Sequence, residues 1–80
     1  MRLRLMTFAQ LREQLGPEIE IELPDGAKVS DLMRALEAAF PEPPALSSAR
    51  LAINRRYVLD PEQILSAADE IALIPPVSGG

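Results

Sequence analysis

Ile71-Ala72-Leu73-Ile74-Pro75-Pro76-Val77-Ser78-Gly79-Gly80 stands at the end of an 80-residue chain. Its first four residues form a nearly continuous apolar run, apolar on both sides of the strand. Such a strand belongs in the middle of a sheet. Pro75-Pro76 must end it, because proline lacks the amide hydrogen that a ladder needs. The remaining residues therefore leave the fold from its most rigid part.

Working outward, residues 2–8 read as a strand with Leu3 and Leu5 on one face, Arg2, Arg4 and Met6 on the other, and Phe8 closing it. Residues 9–15 read as a short helix, since Leu11 and Leu15 lie four apart and Gly16-Pro17 is a stop signal. Ile19-Glu20-Ile21-Glu22-Leu23 alternates strictly and reads as a half-buried strand, with Glu20 and Glu22 in water. Pro24-Asp25-Gly26 is a turn, and Ser30 is expected to cap the main helix, followed by Asp31 in its first turn. Leu32, Ala35, Leu36, Ala39 and Phe40 fall on one stripe of that helix, which Pro41-Glu42-Pro43-Pro44 ends. Residues 51–53 and 57–59 read as short strands across an Asn54-Arg55-Arg56 turn, and Ile64 and Leu65 should pin the following loop or single helical turn.

One long helix among several short strands predicts an α+β domain spanning residues 1–80, with the helix packed across one face of a mixed sheet. The first and last strands are expected side by side in its middle. The tail, residues 75–80, then projects from the sheet's centre.

Composition narrows the function. With no Cys and no His, the chain lacks thiolate chemistry, the commonest general base and the commonest metal ligand. This points to a binder, a carrier or a substrate of another enzyme, not catalytic on its own and with no metal site. A formal net charge of −4, with Arg55-Arg56 as the only adjacent basic pair, argues against a nucleic-acid partner. Arg2 and Arg4 interrupt the apolar start, so no signal peptide is expected, and no stretch suits a membrane span. A cytoplasmic location is the expectation.

The tail is the strongest candidate for chemistry. Pro75-Pro76 favour polyproline II, a stiff base that lowers the entropy lost on docking. Val77 and Ser78 continue outward, and Gly79-Gly80 give a thread without side chains that can pass into a narrow active site. The Gly80 carboxylate is a poor electrophile until activated, for example as an acyl-adenylate. The chain has no phosphate-binding motif, so a separate activating enzyme is implied.

Phe8-Ala9-Gln10-Leu11-Arg12-Glu13 and the terminal Asp69-Glu70-Ile71-Ala72-Leu73-Ile74-Pro75-Pro76-Val77-Ser78-Gly79-Gly80 resemble the MoaD family, the small sulfur-carrying subunit of molybdopterin synthase. Leu23-Pro24-Asp25-Gly26 and Ala52-Ile53-Asn54 extend the similarity along the chain, whereas Ala67-Ala68 replaces the Asp-Gly common in the family. The resemblance implies a ubiquitin-like β-grasp fold. It also implies that a MoeB-like enzyme adenylates Gly80 with ATP, which this chain itself does not bind, and that a sulfur donor converts it to a thiocarboxylate. The tail then enters a MoaE-type large subunit, in an expected heterotetramer, and passes sulfur to cyclic pyranopterin monophosphate for molybdenum cofactor synthesis. By position in the family pattern, Phe8, Tyr57 and Ile74 are the docking candidates beside the tail residues Pro75, Pro76, Val77 and Ser78. For Phe8, core packing competes equally with docking, whereas Tyr57 leans towards the surface. Arg12 could meet acidic groups of a partner, although a lone arginine is more often simply solvated. Related alternatives are a carrier for thiazole or tRNA thiolation, a protein modifier joined to lysine, or a non-covalent binding module.

Overall fold

The computed structural model describes residues 1–41 and 49–75. Its elements run β1 (Arg2–Thr7), α1 (Ala9–Leu15), β2 (Glu18–Glu22), α2 (Val29–Ala39), β3 (Arg50–Ile53), β4 (Arg56–Tyr57) and β5 (Ile71–Ile74). The five strands form one sheet in the order β2-β1-β5-β3-β4. β5 is thus central, as its unbroken apolar sequence requires. It pairs in parallel with β1, Leu5 opposite Ile71 and Thr7 opposite Leu73, and antiparallel with β3, Leu51 opposite Leu73. β1 and β2 pair antiparallel, Leu3 opposite Ile21 and Leu5 opposite Ile19.

These registers align the alternating patterns, so one face of the sheet collects Leu3, Leu5, Ile19, Ile21, Leu51, Ile53, Ile71 and Leu73. α1 contributes Leu11 to the same core, and α2 contributes Val29, Leu32 and Leu36. Helices thus cover one face of a mixed sheet, the β-grasp arrangement. The other face keeps Arg2, Arg4, Met6, Glu18, Glu20 and Glu22 in solvent. There the arginines and glutamates interleave: Arg2 lies within ion-pair distance of Glu20 and Glu22, and Arg4 of Glu18 and Glu20. Such exposed pairs contribute little stability, but they charge the free edge at β2 and discourage edge-to-edge pairing.

Several local expectations need correction. Ser30 does not cap α2. Lys28 occupies that position, and the amides of Val29 and Ser30 donate instead to the carbonyls of Gln63 and Pro61, 2.9 and 3.0 Å away. The 61–63 loop therefore satisfies helix amides that a serine hydroxyl would otherwise take. Asp31 takes its expected place, its carboxylate accepting the Lys28 amide at 2.9 Å. The Lys28 ammonium is raised above its ordinary range by its hydrogen bond to Glu62 and that residue's charge, the two 2.6 Å apart on the surface.

The helix stripe is narrower than its sequence suggests: Ala39 is exposed, and Phe40 is the half-buried residue that ends the helix. In the 57–59 stretch only Tyr57 belongs to a strand, and Leu59 is 90% exposed. Leu65 is buried and anchors its loop through a 2.8 Å bond from its amide to the Ala27 carbonyl, but Ile64 is 65% exposed. The strand reading of residues 2–8 ends one residue early, at Thr7.

Two turns carry backbone requirements. Gly26 adopts φ 85° as the third residue of a turn closed from the Ala27 amide to the Pro24 carbonyl. The β3–β4 connection has two central residues, Asn54 and Arg55, at φ 53° and 69°. Positive φ at both positions marks a tight hairpin turn that favours Asn-Gly. A non-glycine residue in the left-handed region costs about 1–2 kcal/mol, and introducing glycine costs about 0.4–1 kcal/mol through the unfolded chain. Arg55→Gly is accordingly expected to raise stability by about 0.5–1 kcal/mol, a rise in Tm of a few degrees measurable by thermal denaturation.

Candidate functional site

The site is built around the place where β5 releases the tail. Pro76, Val77, Ser78, Gly79 and Gly80 lie outside the described residues; Ile74 and Pro75 lie within them and are half-buried. Ile74 is fixed by pairing with Arg50 of β3. On its other side Thr7 of β1 pairs with Leu73, and Phe8 continues the strand in an extended conformation (φ −136°, ψ 157°), level with Ile74. Phe8, Ile74 and Arg50 therefore form a row across the sheet immediately before Pro75. Since side chains alternate along strands, this row points away from the helix-covered core.

The parallel row on the same face runs Met6, Ala72, Ala52 and Tyr57, with Met6 opposite Ala72, Ala72 opposite Ala52, and Ala52 opposite Tyr57. Met6 is 46% exposed, Phe8 42% and Tyr57 58%. The two small alanines leave a shallow apolar floor between larger side chains. Such a surface can seat apolar groups of a partner without closing over a small molecule.

Phe8 is held at this edge by the chain that follows it. Its carbonyl accepts the amides of Leu11 and Arg12 at 3.2 and 3.3 Å and so starts α1. Ala9 adopts φ 50°, the sharp change of direction that turns the strand into the helix. Thr7, buried just before it, donates its hydroxyl to the Gly16 carbonyl and ties the two ends of α1 together. Phe8 is thus not a core residue. Arg12 lies in the last turn of α1 and is exposed.

The sequence reading did not single out Arg50 or Met6. Arg50 stands two residues from Ala52 along a four-residue alternation, which places it on the outward face, but its pairing with Ile74 depends on strand order and register. Its guanidinium carbon lies 5.8 Å from the centre of the Tyr57 ring, a cation–π contact.

Asn54, part of the resemblance, has a structural position. Its side chain donates to Asp69 at 3.0 Å and accepts the Glu70 amide at 3.0 Å, while its own amide reaches the Glu70 carbonyl at 2.8 Å. The β3–β4 turn is thereby fastened to the start of β5. Asp69 also accepts the Ser66 amide at 2.8 Å, and the Asp69 amide returns to the Ser66 carbonyl at 3.0 Å. The turn through Ala67-Ala68 closes with these bonds, without the Asp-Gly pair common in the family.

No helix among the described residues is long and apolar enough to cross a membrane. Comparison with known proteins gives a consistent result. A molybdopterin synthase sulfur carrier subunit from Chlamydomonas reinhardtii is 37% identical over 83 aligned positions, covering 100% of both chains. A putative molybdopterin converting factor subunit 1 from Pyrococcus furiosus superposes with a TM-score of 0.76 at 31% identity, covering 96% of this chain and 99% of that one. SAMP1 from Haloferax volcanii superposes with a TM-score of 0.79 at 28% identity over 100% of both chains. The ThiS family matches residues 5–80, and with sulfur carrier subunits related to it over its full length, the chain belongs to that family.

Proposed function

We propose that this chain is the sulfur carrier of a molybdopterin synthase, a single domain over residues 1–80 whose tail, residues 75–80, bears the sulfur on Gly80. The observation that carries the reading is the root of that tail. In a chain collinear with sulfur carrier subunits, β5 is held by β1 up to Leu73 and by β3 up to Ile74, and then runs directly into Pro75-Pro76-Val77-Ser78-Gly79-Gly80. A tail rooted this way begins from a fixed point, and its prolines reduce the entropy lost when it threads into a partner.

The chemistry divides between proteins. On a MoeB-like enzyme, an oxygen of the Gly80 carboxylate attacks the α-phosphorus of ATP and pyrophosphate leaves. Sulfur supplied by a donor protein at the oxidation level of sulfide then attacks the acyl carbon and displaces AMP, leaving a thiocarboxylate. Inside a MoaE-like large subunit the sulfur passes to cyclic pyranopterin monophosphate, and water restores the carboxylate. Gly79 leaves the thread narrow beside the reacting carbon. The carrier supplies the acyl carbon and the docking face, with Phe8, Tyr57 and Ile74 on the outward face of the sheet and Arg12 exposed on α1, and the partners supply acids, bases and ATP binding. A cytoplasmic setting suits this use of ATP.

Intact mass is the direct test. After incubation with ATP, the activating enzyme and a sulfur source, the chain should gain the mass of one oxygen replaced by sulfur, located at Gly80 by fragmentation. No such change overturns the carrier reading. A protein modifier joined to lysine is the second reading, favoured by the likeness to SAMP1, a small archaeal modifier protein. Thiocarboxylated chain mixed with the large subunit and the pterin precursor separates the two. Formation of molybdopterin supports the first, and lysine conjugates without molybdopterin support the second.

A further inference from the structure

The outward face of the sheet carries three arginines, Arg2, Arg4 and Arg50, in two different electrostatic situations. Arg2 and Arg4 are met by Glu18, Glu20 and Glu22 of β2 at 3.3–3.9 Å. Arg50 sits at the opposite end of the same face and makes no ion pair with a carboxylate among the described residues. Its contact there is the Tyr57 ring. The cation is not placed at random: Arg50 pairs with Ile74, one residue before Pro75. Any protein that takes the tail into its active site must come down against this corner.

We infer that Arg50, stacked on Tyr57, is a specificity-determining residue that receives an aspartate or glutamate of the protein into which the tail inserts. This rests on the carrier reading and names the chemistry of the surface that reads it. Three features favour a carboxylate over other groups. The guanidinium offers a planar fork of donors that matches a carboxylate in a two-bond arrangement. Stacking on an aromatic ring restrains that fork in advance, so less side-chain freedom is lost on docking. The glutamates of β2 neutralise the far end of the face, leaving the positive charge concentrated beside the tail in a chain whose formal net charge is −4.

The apolar floor of Met6, Ala72, Ala52 and Ile74 lies between the two ends. A complementary partner therefore presents apolar side chains with a carboxylate at the border facing β3 and β4. Tyr and Arg are, with Trp, the residue types most enriched among those that dominate binding, and a charge at the border guides approach.

The test uses the full chain and the large subunit that accepts the tail. Affinity is measured by calorimetry at two salt concentrations for wild type, Arg50→Glu, Arg50→Lys, Tyr57→Leu and Arg2→Ala. Arg50→Glu should weaken binding by about tenfold or more, with a shallower salt dependence than wild type. Arg50→Lys keeps the charge but loses the planar fork, and Tyr57→Leu keeps apolar area but loses the stacking face; each should fall in between. Arg2→Ala, whose guanidinium already has carboxylate neighbours, should stay within about twofold. Wild-type affinity in Arg50→Glu overturns the inference, as does an equal loss in Arg2→Ala, which would mean a diffuse effect of net charge. Arg50 is exposed, so the variants are expected to fold, and unchanged thermal unfolding verifies it. Thiocarboxylate formation at Gly80, followed by mass in the same preparations, tests the carrier reading separately.

Discussion

Deleting Gly80 alone should reduce thiocarboxylate formation by about a hundredfold or more while leaving thermal unfolding unchanged. The shortened chain still ends in a glycine carboxylate, so the chemical group survives and only its position changes. One residue of extended chain spans about 3.3–3.6 Å, so the acyl carbon is withdrawn by roughly that distance from the activating site. Misplacement of a reacting atom by as little as about 1 Å can lower a rate about a hundredfold. The fold should not notice the change, because among the described residues every buried core residue precedes Ile74. Intact mass after activation and circular-dichroism melting, run on the same preparation, check the two halves of the expectation. Gly79→Val probes a different property: it keeps the length but widens the thread, and should give a partial loss. If the Gly80 deletion is sulfurated as fast as wild type, the reactive group lies elsewhere.

The sequence carried the layout of this domain where a pattern had one physical solution. Strict alternation at Ile19 and Ile21 allows a single placement relative to water, and the unbroken run Ile71-Ala72-Leu73-Ile74 favours a central strand; both strands formed, although Ala72 and Ile74 stay half-buried on the uncovered face. Spacing of Leu11 and Leu15 with a Gly-Pro stop was equally decisive, and α1 spans Ala9–Leu15. The errors arose where partners distant in sequence compete for the same group. Ser30 is an adequate cap on local grounds, yet the carbonyls of Pro61 and Gln63 reach the helix amides first. The second hairpin strand starts at Arg56, one residue earlier than the sequence suggests, because a two-residue turn with both central residues at positive φ puts Arg56 opposite Ile53 and Tyr57 opposite Ala52. Of the candidate site, Phe8 and Tyr57 could be named from position in a family pattern. Their common face could not, since it follows from β5 inserting between β1 and β3. Arg50 was invisible for the same reason: its neighbour Ile74 is brought to it only by strand order.

Leu73→Ala should be the most damaging single substitution in the sheet, lowering stability by about 2–5 kcal/mol. Leu73 is fully buried in the central strand, opposite Thr7 on one side and Leu51 on the other, within the one core that both helices share. Truncation removes apolar contacts and leaves a cavity that neighbours on two paired strands cannot collapse to fill. For a domain of 80 residues, total stability is only about 4–12 kcal/mol, so the loss is a large share of the whole. At roughly 4–8 °C per kcal/mol, Tm should fall by about 8–40 °C. Leu59→Ala is the matched control: Leu59 is 90% exposed, and its loss should cost no more than about 0.5 kcal/mol. Urea denaturation of both variants measures the contrast, and a cost below about 1 kcal/mol for Leu73→Ala would contradict a central β5. The functional effect should follow temperature. Below its lowered Tm the variant still has an intact Gly80 and should be sulfurated. As β5 loosens, the root of the tail loses its fixed position, and transfer to the large subunit should decline at lower temperatures than in wild type. A tail that acted independently of its strand would instead keep wild-type transfer up to the temperature at which the partner itself fails.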